Sequence, residues 1–317
     1  MNKIDILLST YNGENFLIEQ LDSIINQTYE NWRLFIRDDG SSDNTIDIIE
    51  NYKMRFPEKI TLIKSDENVG SAKSFLTLMK SADSPYVMFC DQDDIWLNRK
   101  IELSLNRMLS VETDFDGPVL VHTDLKVVDR NLNILQESFI NSMNLNPNKK
   151  NVNNLLVQNN VTGCTIIINR KLYSMINDSN ILNNKVIMHD WFITILCSIT
   201  GRIDFINQSL ILYRQHSNNV IGAKNINLIY YSKTFLSKIK NKEDFGLNNY
   251  YINQANSVNG ILLKNNKSNE VLNVFLNLKK YNKIKRIYYI LKYKLFKQSY
   301  LATFLFIISM IIERRND

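Results

Sequence analysis

The sequence predicts an α/β fold: a mostly parallel sheet with helices on both faces, followed by a helical, basic C-terminal region. Three observations predict it. Apolar runs of strand length alternate with stretches of helical spacing through the first ninety residues, which is the pattern of right-handed strand–helix–strand crossovers. Each of these apolar runs ends in a cluster of polar residues. The charge also reverses along the chain: residues 1–220 carry 21 Lys and Arg against 27 Asp and Glu, and residues 221–317 carry 17 against 5.

The elements follow in order. Ile4–Leu8 is an apolar run of strand length, and Asn15–Gln27 sets Phe16, Ile18, Leu21, Ile24 and Ile25 at helical spacing. Trp32–Arg37 is a second strand. The turn Asp39-Gly40-Ser41-Ser42-Asp43 leads into a helix over Thr45–Arg55. Ile60–Lys64 is a third strand, Gly70–Ser81 a helix with Phe75, Leu76, Leu78 and Met79 inward, and Tyr86–Cys90 a fourth strand. Beyond these, Arg99–Ser110 reads as a helix, and Val119–Thr123 and Val161–Asn169 as strands. Residues 141–154, rich in Asn and Lys, read as a mobile loop. Asp190–Thr200 is an apolar helix, Ile203–Ile206 and Leu210–Tyr213 are short strands, and the pattern after residue 221 is helical and basic.

Composition narrows the classes. Four Pro and nine Gly exclude a fibrous or disordered chain. Cys90, Cys164 and Cys197 lie far apart in apolar runs, which suits buried free thiols in a reducing compartment, and no Cys/His spacing suggests zinc. The N-terminus enters a strand pattern at once, without the pattern of a signal peptide.

Ligands of such sheets bind beyond the carboxyl ends of the strands. That rule gathers Ser9-Thr10-Tyr11-Asn12, Asp38-Asp39-Gly40-Ser41, Asp66-Glu67-Asn68-Val69-Gly70 and Asp91-Gln92-Asp93-Asp94 into one site. Each cluster alone reads as an ordinary turn. Two carboxylates one residue apart, Asp91 and Asp93, suit a divalent cation held through oxygen, and a cation so held can grip a diphosphate.

The order of these motifs resembles family 2 glycosyltransferases of the GT-A fold. Ser9-Thr10-Tyr11-Asn12, Gln27-Thr28-Tyr29, Asp38-Asp39-Gly40-Ser41-Ser42-Asp43, Asn68-Val69-Gly70 and Asp91-Gln92-Asp93 carry the resemblance, over roughly residues 1–220. Thr162-Gly163-Cys164-Thr165, His189-Asp190-Trp191 and Tyr213-Arg214-Gln215-His216 with Asn219 and Gly222 further resemble bacterial rhamnosyltransferase-like members.

The resemblance implies a Rossmann-like catalytic domain over 1–220, with a nucleotide-binding half (1–95) and an acceptor half (96–220). It implies that Ser9, Tyr11 and Asp39 hold the nucleotide base. A carboxylate accepts the imide N–H of uracil or thymine and Tyr11 offers a ring for stacking. Asp43 is the better cap for the following helix, which leaves Asp39 free. Asp93 is the implied metal ligand with Asp91 as its partner, for Mn²⁺ or Mg²⁺. Asp94 extends the cluster or caps a helix. Asp190 is the implied general base, kept ionised by its place at a helix N-terminus, or else a plain N-cap. His216 completes the metal shell or contacts diphosphate, and Arg214 clamps a phosphate; both otherwise close a surface strand. Asn68 belongs to the donor site, and Lys73 either reaches the donor or is solvated. His189 is a wall residue or orients Asp190, and His122 is structural.

In residues 221–317, lysines and Arg286 interleave with Ile, Tyr, Leu and Phe between 283 and 297, and Leu301–Ile312 is apolar but too short to span a bilayer. Arg314 and Arg315 close it. This suits a helical region lying at a membrane interface, or one packed on the catalytic core. Nucleic-acid binding would use similar charge, but nothing in the catalytic half supports nucleic acid as a partner. The expected activity is inverting transfer of a sugar, L-rhamnose from dTDP-rhamnose first, to a lipid-linked or growing glycan at the cytoplasmic face of a bacterial membrane. A UDP-hexose or UDP-N-acetylhexosamine transferase of the same fold is the alternative. So is a catalytically degenerate nucleotide-binding scaffold, which intact Asp91, Asp93 and Asp190 argue against. A nucleotidyltransferase would carry a Gly-rich phosphate loop, and Ser9–Glu14 is not one.

Overall fold

A computed structural model describes residues 2–65, 67–177, 186–216 and 250–312. β1 (Ile4–Thr10), β2 (Trp32–Asp38), β3 (Ile60–Ile63) and β4 (Tyr86–Asp91) pair in parallel in the order β3-β2-β1-β4. β1 and β4 are apolar on both sides because both sides are covered, as parallel strands require. α1 (Leu17–Ile25) and α2 (Thr45–Arg55) pack with Ile6, Leu8 and Met88 on one face. α3 (Ser71–Met79) packs with Leu7, Val87 and Phe89 on the other.

The second half of the sheet is mixed. β5 (Ile95–Trp96) is antiparallel to β9 (Arg202–Arg214), and β9 is parallel to β6 (Val119–Val128). β8 (Ile167–Asn169) runs antiparallel to both β4 and β6, and β7 (Ile134–Gln136) antiparallel to β6. The parallel sheet expected from the sequence therefore holds for the first four strands and gives way beyond them. α4 (Lys100–Thr113) covers the α1 side and α8 (His189–Thr200) the α3 side.

Three expectations need correction. Ile203–Ile206 and Leu210–Tyr213 are one strand, β9; exposed Asn207 and Gln208 lie where its ladder with β6 shifts register. Val161–Asn169 is a strand only from Ile167, after a 3-10 turn at Gly163–Thr165. Residues 141–154 are not a bare loop. They join α5 (Phe139–Ser142) to α6 (Val152–Leu155) and bind the C-terminal region through side-chain amides. Asn153 and Asn154 donate to the carbonyls of Lys294 and Phe296, and Lys149 to that of Gln298.

α7 (Arg170–Asn177) follows β8. The C-terminal helices are α9 (Ile252–Lys264), α10 (Glu270–Leu276), α11 (Lys283–Lys292) and α12 (Tyr300–Ile312). Val258, Leu262, Phe275, Ile290 and Phe306 join the same apolar core as Phe192 and Leu196 of α8. Buried Arg286 donates to the carbonyls of Tyr281, Lys279 and Met310, tying α11 to α12. No helix of the described residues is long and apolar enough to cross a membrane. Asp66, Asn219, Gly222, Arg314, Arg315 and the boundary near residue 220 lie outside the described residues.

Candidate active site

Parallel register brings the predicted clusters to one edge of the sheet. Ser9 lies opposite Asp91, and Thr10 opposite Asp38, whose carboxylate accepts the Thr10 hydroxyl at 3.0 Å. Ser9 donates to Ser74 Oγ on α3 at 2.6 Å. Tyr11 is 49% exposed, so its ring is offered to solvent at the rim. Asp38 makes the turn: it accepts the N–H groups of Gly40 and Ser41 at 3.1 and 2.8 Å, and Gly40 takes φ 85°, a conformation that favours glycine. Asp43 accepts the N–H of Thr45 at the start of α2, at 3.0 Å.

Asp39 is not free. It pairs with buried Arg37 and accepts the N–H groups of Val69 and Gly70 at 3.0 and 2.8 Å. It thus ties the β2 loop to the loop entering α3. A carboxylate has about four acceptor positions, so roughly one is left for a ligand. Asn68 is exposed and accepts the Gly70 N–H at 3.2 Å; Lys73 stands exposed in the first turn of α3.

After β4 the chain turns sharply. Asp93 Oδ2 and His216 Nε2 come within 2.8 Å, and the His216 ring lies 4.8 Å from that of Phe16. The predicted phosphate clamp, Arg214, is corrected. Its guanidinium is buried, donates to the carbonyls of Asp93 and Arg130 at 3.0 and 2.7 Å, pairs with Glu19 and lies 4.6 Å over Phe16. It holds the backbone of the Asp93 loop instead. Asp94 caps no helix: it is buried, and its Oδ1 accepts the N–H of Arg214 at 3.2 Å.

Asp190 opens α8 and is buried. Its carboxylate accepts the N–H of Trp191 at 2.6 Å, the Asn159 amide at 3.3 Å and the N–H of Gly163. Burial nonetheless outweighs these donors and pushes its pKa up to about 6, against the expectation that the helix end keeps it low. Asp91 is raised by burial and by the charges of Asp93 and Asp190, so three carboxylates share one electrostatic neighbourhood. His189 does not orient Asp190. Its ring packs 4.1 Å from that of Phe75 and 5.4 Å from that of Phe89, and neither nitrogen has a hydrogen-bond partner among the described residues. Burial drives its pKa down to about 3, so it is a neutral wall. His122 is likewise buried against Phe205.

The donor set fits a divalent cation. Asp93 and His216 are both partly exposed and would hold a cation where substrate oxygens can reach it, and the imidazole would suit Mn²⁺ better than Mg²⁺. The tighter group of Asp91, Asp94 and Cys164 is a poorer fit. Asp94 is already bonded to Arg214, and burial pushes the Cys164 thiol up, keeping it protonated. Asn159 and Gly163 were not singled out by sequence as partners of Asp190, because nothing local marks residues that meet it about thirty positions away. Gln92 was visible only as the middle of a motif.

The profile of Glycosyl transferase family 2 matches residues 5–175. The dTDP-rhamnosyl transferase RfbG of Shigella flexneri is 30% identical over 226 residues, 68% of this chain and 74% of that one. The putative teichuronic acid biosynthesis glycosyltransferase TuaG of Bacillus subtilis is 26% identical over 70% of this chain and 82% of that one. Among solved structures, S. aureus TarS 1–349 in complex with UDP superimposes with TM-score 0.53 at 16% identity, covering 92% of this chain and 88% of that one. That likeness shows a GT-A fold.

Proposed function

The chain belongs to glycosyl transferase family 2, and from that premise we propose an inverting, metal-dependent transferase that moves L-rhamnose from dTDP-rhamnose to a lipid-linked or growing bacterial surface polysaccharide. The observation that carries the reading is the meeting of Asp91, Asp93, His216 and Asp190, from three separate stretches of sequence, at the edge where Ser9, Tyr11 and Asp39 also end.

Asp93 and His216, with Asp91 beside them, would hold Mn²⁺ or Mg²⁺. The cation supplies Lewis-acid stabilisation of the departing diphosphate. Tyr11 and Asp39 bind the pyrimidine end of the donor, with Ser9, Asn68 and Lys73 along its length. Asp190 takes the proton of the acceptor hydroxyl. The freed oxygen bonds to the anomeric carbon as the carbon–diphosphate bond breaks, and attack from the side opposite the diphosphate inverts the centre. A carboxyl with pKa about 6 is ionised at neutral pH yet basic enough to accept that proton.

Residues 1–220 form the catalytic unit and 221–317 the region that meets the inner face of the membrane. Ten Lys and Arg against Glu270 alone over residues 250–312 support this. So does an outward stripe on α11 of Ile284, Tyr288 and Leu291, each more than half exposed.

A UDP-hexose donor is the second reading. A UDP-Glc glucosyltransferase of Escherichia coli, WfgD, is 28% identical over 53% of this chain, and an imide-accepting carboxylate treats uracil and thymine alike. Turnover of a panel of nucleotide sugars with Mn²⁺ decides between the two. Asp93→Ala is expected to abolish Mn²⁺-dependent nucleotide diphosphate binding in calorimetry. Unchanged affinity would remove the cation assignment, and turnover of no sugar by wild type would favour a non-catalytic scaffold.

A further inference from the structure

Gln92 stands between the two carboxylates of the Asp91-Gln92-Asp93 loop, and its side chain reaches into the loop after β1. Its Oε1 accepts the N–H of Tyr11 at 2.8 Å, and its Nε2 donates to the carbonyl of Tyr11 at 3.0 Å. One side-chain amide thus satisfies both backbone groups of one residue, as a neighbouring strand would. The space for it exists because residue 13 is glycine: a Cβ there would sit 2.4 Å from the Gln92 oxygen. The linkage continues past Tyr11. Asn12, at φ 47°, donates its N–H to Ser41 Oγ at 2.8 Å and accepts the N–H of Ser42 on Oδ1 at 2.8 Å. Ser41 is held in turn by Asp38, next to Asp39.

An unbroken bonded path therefore runs from the backbone beside Asp93, through Gln92, to Tyr11 and on to the Asp39 turn. We propose that Gln92 is a positioning residue that couples the two halves of the donor site: a cation held at Asp93 strengthens binding of the nucleoside end without any phosphate bridging the two. The inference rests on the cation site proposed above. A cation fixes residues 91–93, which fixes the Gln92 amide, which fixes the backbone carrying the Tyr11 ring. The cost of ordering that loop is then met once for both ligands. Linkage makes the effect reciprocal, so the nucleoside strengthens cation binding by the same factor.

The probes are uridine and thymidine, which have no phosphate to chelate a metal. Calorimetry on the full chain, with and without saturating Mn²⁺, should give a wild-type nucleoside affinity about fivefold or more tighter with the cation. Gln92→Leu keeps the bulk and removes both bonds; its ratio should fall to about one. Mn²⁺ alone should still bind that variant. Gly13→Ala displaces the amide without changing it and should also lower the ratio, and the two substitutions together should do no more than either. This second variant keeps the test decisive if Gln92→Leu fails to fold. A wild-type nucleoside affinity indifferent to Mn²⁺, or full enhancement in both variants, overturns the coupling. Failure of Mn²⁺ alone to bind wild type overturns the cation site, and the coupling with it; that result is distinct from binding without enhancement.

Discussion

Asp190 is held by three donors and still has its proton affinity raised by burial, and two outcomes follow. In the role proposed for it, a base, it must be ionised, so kcat/KM should fall below pH about 6. Asp190→Asn should lower kcat by about 10²–10⁴ with nucleotide affinity unchanged, read by steady-state kinetics and calorimetry. The stability effect has the opposite sign. The native state holds this proton more tightly than the unfolded chain, so stability declines as pH rises from about 4 to 6. Asp190→Asn should therefore raise stability at pH 7 by up to about 3 kcal/mol in chemical denaturation. Arg214 behaves differently. Arg214→Ala would strip donors from the carbonyls of Asp93 and Arg130 and leave Glu19 without its ion-pair partner, costing about 2–4 kcal/mol by the same measurement. A phosphate clamp would instead raise KM and leave stability alone.

At the level of elements, the first four strands were legible because each is an apolar run bounded by turn residues, and their ends located Asp39, Asp91 and Asp93. What was not legible depends on distant partners. The Asn-rich stretch 141–154 reads as loose because Asn is polar; its end, in α6, is tied down because the amides of Asn153 and Asn154 bond to backbone some 140 residues away. The strand expected from Val161 begins late because Gly163 must pack against α8. A Cβ at Gly163 would stand 2.9 Å from His189 Nε2 and 3.5 Å from Asp190 Cβ. Gly163→Ala is expected to displace the Asp190 carboxylate, lowering kcat while costing about 1–3 kcal/mol. A substitution that left both kcat and denaturation midpoint unchanged would count against this packing. Arg214 shows the same limit at the site. The sequence placed it correctly at the end of β9 but gave no sign that its donors point inward.

At the scale of the whole molecule, the C-terminal helices share the core of the sheet, so removing residues 283–317 would take Ile290, Leu295, Phe306 and Met310 out of that core. Truncation is therefore a poor test of membrane contact, because the protein would lose cover along with charge. The surface variant Ile284→Ser/Tyr288→Ser/Leu291→Ser changes exposed side chains only. Wild type should co-sediment with phosphatidylglycerol vesicles and not with phosphatidylcholine vesicles, and the triple variant should bind the former about tenfold less or weaker still. Its thermal midpoint should not change. Equal co-sedimentation of both proteins would end the membrane reading.

The three thiols divide between the faces of the sheet. Cys90 and Cys164 lie in the layer of α1 and α4, behind the Asp91 loop, and Cys197 lies in the layer shared with the C-terminal helices. All three are buried, and burial raises the pKa of each, so the folded chain presents no reactive thiolate among them. The molecule thereby carries its own two-channel clock. Alkylation of Cys197 times the opening of one layer, alkylation of Cys90 and Cys164 times the other, and the order of labelling tells which side of the sheet yields first.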